Sequence, residues 1–216
     1  MVVTRKNIDE LQLAVQLVID NIEANAEVKT RMEGYGYTPE RLNEGKVLLA
    51  NVRTAVEQHS TLYSNQYSAT DALKSKWKVA KKTYMNFVKV SRIALSDDRA
   101  AYHKLGLKGN REQNLSAWLA QARQFYTGAI GDDAILTKLA VFAITKEKLE
   151  AGLLLVTETE KAINQQKSSI GDAQKATMDR NEIAEKMDRY KRDLLKVAKI
   201  ALGDDPQLLE KLGVVV

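Results

Sequence analysis

The chain has 216 residues, 44% of them hydrophobic and 28% charged, with a net charge of +5 and no cysteine. Such a length can bury a core as one domain or two small ones, and the missing thiols exclude disulfides and thiolate chemistry, which suits a reducing cytosol. No window approaches the ~18 apolar residues of a membrane span and the first ten residues hold no leader-like apolar run, so a cytoplasmic protein with no transmembrane segment is expected.

Only two prolines and 11 glycines punctuate the chain. Abundant Ala, Leu, Lys and Glu favour helix nearly throughout. From Asn7 to Met32, Ile8, Leu11, Val15, Val18, Ile19, Ile22 and Val28 recur at three- and four-residue steps and predict one amphipathic helix. Gly34-Tyr35-Gly36-Tyr37 ends it. Thr38-Pro39 opens a long helical segment, with Thr38 as cap and Pro39 at the first helical position. Its apolar stripe runs through Leu48, Val52, Ala55, Leu73, Trp77, Ala80, Tyr84, Val88, Ile93 and Ala94. Ser96-Asp97-Asp98 closes this segment, and either Asp97 or Asp98 suits the cap of a short helix running to Leu105.

A second series of elements starts near Asn110. Leu115, Trp118, Leu119, Ala122 and Phe125 share one helical face, which Gly128 and Gly131-Asp132-Asp133 are expected to interrupt before a shorter helix from Ala134 to Phe142. Thr145 opens another long segment, with Leu149, Leu153, Val156, Ala173, Met187, Leu194 and Ala201 on its stripe. Pro206 starts a last short helix, and Val214-Val215-Val216 form an apolar tail.

These elements recur at an offset of about 107 residues: Thr38 to Leu95 aligns without a gap on Thr145 to Leu202, and about one aligned position in five is identical. Lys89-Val90 and Ile93-Ala94-Leu95 return as Lys196-Val197 and Ile200-Ala201-Leu202, and Lys104-Leu105-Gly106 as Lys211-Leu212-Gly213. The expected architecture is an all-α antiparallel helical bundle built from two tandem repeats, residues 1–108 and 109–216, integrated into one bundle. Each long segment either runs as one helix shared between the halves or folds back at its polar middle, near 64–68 and 171–175. The stripe keeps its phase across both middles, and the continuous form is the reading adopted.

No catalytic residue, metal site or cofactor is indicated. The only histidines, His59 and His103, lack the Glu-x-x-His spacing of a carboxylate-bridged metal centre, and no phosphate-binding loop or nucleophile elbow is present. Asp97-Asp98 and Asp204-Asp205 read as helix caps rather than acid–base pairs. Trp77 and Trp118 lie on apolar stripes and read as core. Ala55, Ala69, Ala72, Ala162, Ala173 and Ala176 are small enough for helices to approach closely.

One stretch is anomalous. Between Lys74 and Arg92 there is no acid, and Lys74, Lys78, Lys81, Lys82, Lys89 and Arg92 recur at helical spacing. This candidate anion-binding strip has two readings. It is a solvated helix face neutralised by Glu147, Glu150, Glu158 and Glu160, which is the reading adopted, or it binds nucleic acid or an acidic membrane. The aligned stretch from Met178 to Lys199 is mixed in sign, so the strip is not a shared property of both repeats. A structural or interaction module, binding itself or another protein through helical faces, is the expected function. An anion-surface binder and a carrier or enzyme with a pocket between helices are the alternatives.

Overall fold

The computed structural model describes residues 5–212 and is all-helical in its regular structure, with no strand among the described residues. Eight helices follow in chain order: α1 (Arg5–Ala24), α2 (Ala26–Gly34), α3 (Pro39–Ala94), α4 (Arg99–Lys104), α5 (Leu115–Ile130), α6 (Asp133–Ala140), α7 (Lys146–Ala201) and α8 (Pro206–Lys211). The valine tail Val214–Val216 lies outside the described residues.

Neither long segment folds back. α3 and α7 are each continuous over 56 residues, through both Ser64-Asn65 and Gly171-Asp172. The N-terminal region differs from expectation, because its helix breaks at Asn25. The Asn25 side chain accepts the backbone N–H groups of Glu27 and Val28 at 3.0 and 3.2 Å, capping α2 and leaving Asn25 itself extended. Asp132 does the same for α6, accepting from Ala134 and Ile135 at 3.1 and 3.2 Å. Gly128, expected to break the chain, stays inside α5.

Two compact units form, one from residues up to Ser64 together with those from Gly171 onward, the other from Asn65 to Ile170. Each therefore draws on both 1–108 and 109–216. The core of the first is mainly aliphatic. Val15, Ile19 and Ile22 of α1 and Met32 of α2 pack with Leu49 and Val52 of α3, Met187 and Leu194 of α7, and Leu208 of α8. The second unit is built on aromatic rings. Tyr84 stands edge-on to Trp118 and Phe125, with ring centroids 6.0 and 5.6 Å away, and Tyr126 packs against Phe125 at 5.2 Å. Trp118 is fully buried as expected, whereas Trp77 is half-buried. Ala55, Ala162, Ala173 and Ala176 are buried and Ala69 half-buried, but Ala72 faces solvent, as does Ile93, at 64% exposure. A period of 3.6 carries Ile93 off the buried line that runs through Val88, Ser91 and Leu95.

Gly45 in the first unit and Gly152 in the second each admit a tyrosine ring at close range. A β-carbon on Gly45 would lie 2.5 Å from the Tyr190 ring, and one on Gly152 would overlap the Tyr126 ring. Tyr126 is wholly buried and has no room to retreat. The turns that lead into α3 and α7 also match: Gly36 has φ +85°, and Ala143 takes φ +57°, with Tyr37 N–H and Ile144 N–H reaching back to Met32 O and Leu139 O. These are Schellman closures, which favour glycine at the left-handed residue.

Two alanine–glycine exchanges should therefore act in opposite senses. Gly152→Ala should destabilise by about 1–2 kcal/mol, because overpacking against Tyr126 outweighs the helix-propensity gain of about 1 kcal/mol. Ala143→Gly should stabilise by about 0.5–1 kcal/mol by relieving the left-handed alanine. Urea midpoints at constant slope measure both.

Candidate functional site

The strip from Lys74 to Arg92 lies on α3 within the second unit. Ala80, Tyr84, Val88 and Ser91 point into the core, and this fixes which lysines point out. At 100° per residue, Lys78, Lys82 and Lys89 fall within about 40° of one another on the face opposite that core. All three are exposed and have no ion-pair partner among the described residues.

The remaining cations of the stretch are occupied. Lys74 Nζ lies 3.8 Å from Asp71 Oδ1, and Lys76 Nζ lies 3.6 Å from Glu158 Oε2. Lys81 donates to Gln113 Oε1 at 2.7 Å and sits over the Trp77 ring. Arg92 donates to Leu107 O at 2.9 Å and Gly109 O at 2.7 Å, tying the loop after α4 to the long helix. Of the four glutamates expected to neutralise the strip, Glu158 alone ion-pairs within it. Glu160 pairs with Arg123. Glu147 lies at the start of α7, where a hydrogen bond with the Thr145 side chain holds its carboxyl below the ordinary range.

Arg111 was not singled out by spacing, since it lies in an irregular loop with no periodicity. It is 8% exposed, and its guanidinium donates to Tyr84 Oη at 3.0 Å, Gly106 O at 2.9 Å and Lys108 O at 2.9 Å. Neutral oxygens thus satisfy much of a buried cation, and the loop 106–111 is wrapped around it. Burial pushes the Tyr84 hydroxyl above its usual range, with Arg111 opposing.

Other candidates resolve into structure. His59 Nε2 lies 3.2 Å from Arg180 Nη1, and because arginine can only donate, this ring nitrogen accepts. No group of three or more His, Asp or Glu side chains is arranged to hold a metal ion among the described residues. Asp98 and Asp205 cap α4 and α8. An open groove of about 820 Å³ beside Leu11, Glu185, Asp188, Arg189 and Arg192 is lined by both signs of charge. No described helix is long and apolar enough to cross a membrane.

Exposed apolar side chains form the other surface feature. Tyr35, Val47 and Ile200 are 55%, 50% and 65% exposed in the first unit, and Phe142, Leu154 and Ile93 are 45%, 56% and 64% exposed in the second. Each member of one set lies 107 residues from a member of the other. No family model, curated protein or solved structure matches the chain.

The α4 and α6 caps of the second unit are cross-linked by charge. Asp98 receives Ala101 N–H and the Lys138 ammonium at 2.9 and 2.6 Å, while Asp132 caps α6 and receives the Lys104 ammonium at 2.8 Å. Cap hydrogen bonding, then Lys138, holds the Asp98 carboxyl below its usual range; Lys104, then cap hydrogen bonding, does so for Asp132. A folded-state value below the unfolded one contributes stability above the unfolded pKa of about 3.9, which is lost as the pH falls through the folded value. Asp132→Asn keeps the cap but removes the titration. Its stability loss on acidification below about pH 4 should be shallower than that of the parent, as measured by urea denaturation across pH.

Proposed function

We propose that this chain is a non-catalytic interaction module: an antiparallel helical bundle made of two tandem copies of about 107 residues that binds protein partners through its helical faces. The observation that carries this reading is the doubled apolar set, Tyr35, Val47 and Ile200 in one unit and Phe142, Leu154 and Ile93 in the other. Exposed apolar residues scattered singly need no explanation, but the same three positions left exposed in both copies do.

Several features support the duplication. α3 and α7 have equal length and start 107 residues apart, as do α4 and α8. Asn25 and Asp132, the caps of α2 and α6, are separated by the same interval, as are Gly45 and Gly152. Antiparallel pairing is supported by contacts whose numbers run in opposite directions: Gly45 faces Tyr190 and His59 faces Arg180 in one unit, while Thr70 meets Gln166 and Lys76 meets Glu158 in the other.

The occupant of each set is an apolar segment of a protein chain, and two equivalent sets predict two copies per chain. Cross-linking and light scattering, on the protein alone and with partners retained from lysate, should give either self-association or a stoichiometry of two. Val47→Asp and Leu154→Asp should each remove one equivalent. The double variant should weaken binding about tenfold or more, since central apolar contacts typically cost about 2 kcal/mol when lost. A strict monomer that retains no partner, or association indifferent to the double variant, would overturn the reading.

A further inference from the structure

Charge is divided unevenly between the two units. The second carries 17 Lys and Arg against 10 Asp and Glu, and the first 16 against 18, so the basic character of the whole chain belongs to the second unit. Within it, three of the cations that have no partner among the described residues share one line on α3. Lys78, Lys82 and Lys89 project from the outward face of α3, spaced over about 17 Å at 1.5 Å per residue. The one acid on that face, Asp71, is beside Lys74.

We propose that this face of α3 binds the phosphate backbone of double-stranded nucleic acid without regard to sequence. The inference rests on charge and not on the doubled apolar sets, although Ile93 of one set lies at the end of this face. A row of lysines free of carboxylates is complementary to a row of phosphates, and lysine ammonium groups on long stems act as point charges that position a backbone without reading bases. Single strands are disfavoured because they need exposed aromatic rings for stacking. Between Lys74 and Arg92 the rings are Trp77 and Phe87, both half-buried, and Tyr84, which is buried; Tyr67, 63% exposed and 11 residues before Lys78, is a single ring on this side of α3 and not a platform for successive bases. A bilayer surface is disfavoured because a helix lying on a membrane inserts a continuous apolar face, whereas the apolar face of α3 is spent on the core. Only Val79 and Ile93 project outward beside the lysines, 50% and 64% exposed and 14 residues apart.

The test uses the full chain and three ligands: a labelled duplex of arbitrary sequence, the corresponding single strand, and vesicles containing phosphatidylserine. Binding is followed by fluorescence anisotropy, or by sedimentation for the vesicles, between about 50 and 200 mM salt. Duplex binding should weaken steeply with salt. The K78E/K82E/K89E variant should lower affinity about tenfold or more at the low-salt end and reduce the log–log salt slope by roughly three, about 0.9 for each phosphate contact removed. K175E/K186E/K196E, an equal change of charge in the first unit at exposed lysines beside Asp179, Glu182 and Asp193, should leave duplex binding nearly intact. Circular dichroism confirms that both variants remain helical. Absence of duplex binding at about 50 mM salt, binding to vesicles or single strands in place of the duplex, or equal loss in both variants would overturn the proposal.

Discussion

Everything in this protein depends on one line of positions staying in phase along each long helix. In α7, every seventh residue from Gly152 through Thr159, Gln166, Ala173, Arg180, Met187 and Leu194 to Ala201 is buried or half-buried, without a break. In α3 the corresponding line runs from Gly45 through Val52, His59, Gln66, Leu73, Ala80 and Phe87 to Ala94. A seven-residue step on a helix of 3.6 residues per turn drifts by only about 20° per heptad, so successive members of such a line stay close to one face. The helices are therefore long because their buried line is continuous; intrinsic propensity would not sustain 56 residues unaided.

The middles of the two lines show how polarity is accommodated without a turn. Burial continues there, but with polar side chains that satisfy one another. Arg180 is 9% exposed, donates to His59 and is braced by Asn181 Oδ1 at 2.8 Å. Gln166 donates to Thr70 at 3.3 Å, and Thr70 itself donates to the Gln66 carbonyl. Composition alone makes such a stretch resemble a loop, because serine, asparagine and glutamine are counted there as solvent-seeking residues. Phase is the better guide in this case. His59 and Gln66 fall on the same seven-residue line as Val52 and Leu73, a spacing carried by the sequence itself.

Other features were legible for equally physical reasons, and the failures are as specific. Helix class, both long segments and the capping aspartates follow from periodicity and from side chains that can accept backbone N–H groups. Asn25 was missed because its neighbours keep an apolar spacing that reads as one helix across the break; the signal available was its alignment with Asp132. Hydrophobicity alone puts Ile93 on the buried stripe, although Val88, Ser91 and Leu95 define the inward direction. The basic strip was visible as composition. Its division into three free lysines and several committed cations was not, because Gln113, Leu107 O, Gly109 O and Glu158 come from segments distant in sequence. Arg111 gave no periodic signal, since its partners are a core tyrosine and loop carbonyls.

On the proposed duplication, positions 107 residues apart separate what both units require from what each has made its own. Close approach at Gly45 and Gly152 is common to both, yet the rings that fill the space come from different helices, Tyr190 of α7 in one and Tyr126 of α5 in the other. Around them the volumes compensate: Val15, Ile19 and Ile22 face the core in the first unit, whereas the aligned Ala122, Tyr126 and Ala129 concentrate bulk in one aromatic residue in the second. The outward face of α3 has diverged in charge instead. Aligned with Lys78, Lys82 and Lys89 are Glu185, Arg189 and Lys196, and the neighbouring acids Glu182 and Asp193 ion-pair with Lys186 and Lys196. The same helical surface is thus close to neutral in one unit and mainly basic in the other, while three of the exposed apolar positions stay matched. On the proposed duplication, helix lengths and these three apolar positions are held in common and charge is not, which is the pattern expected if one copy has acquired an anionic partner.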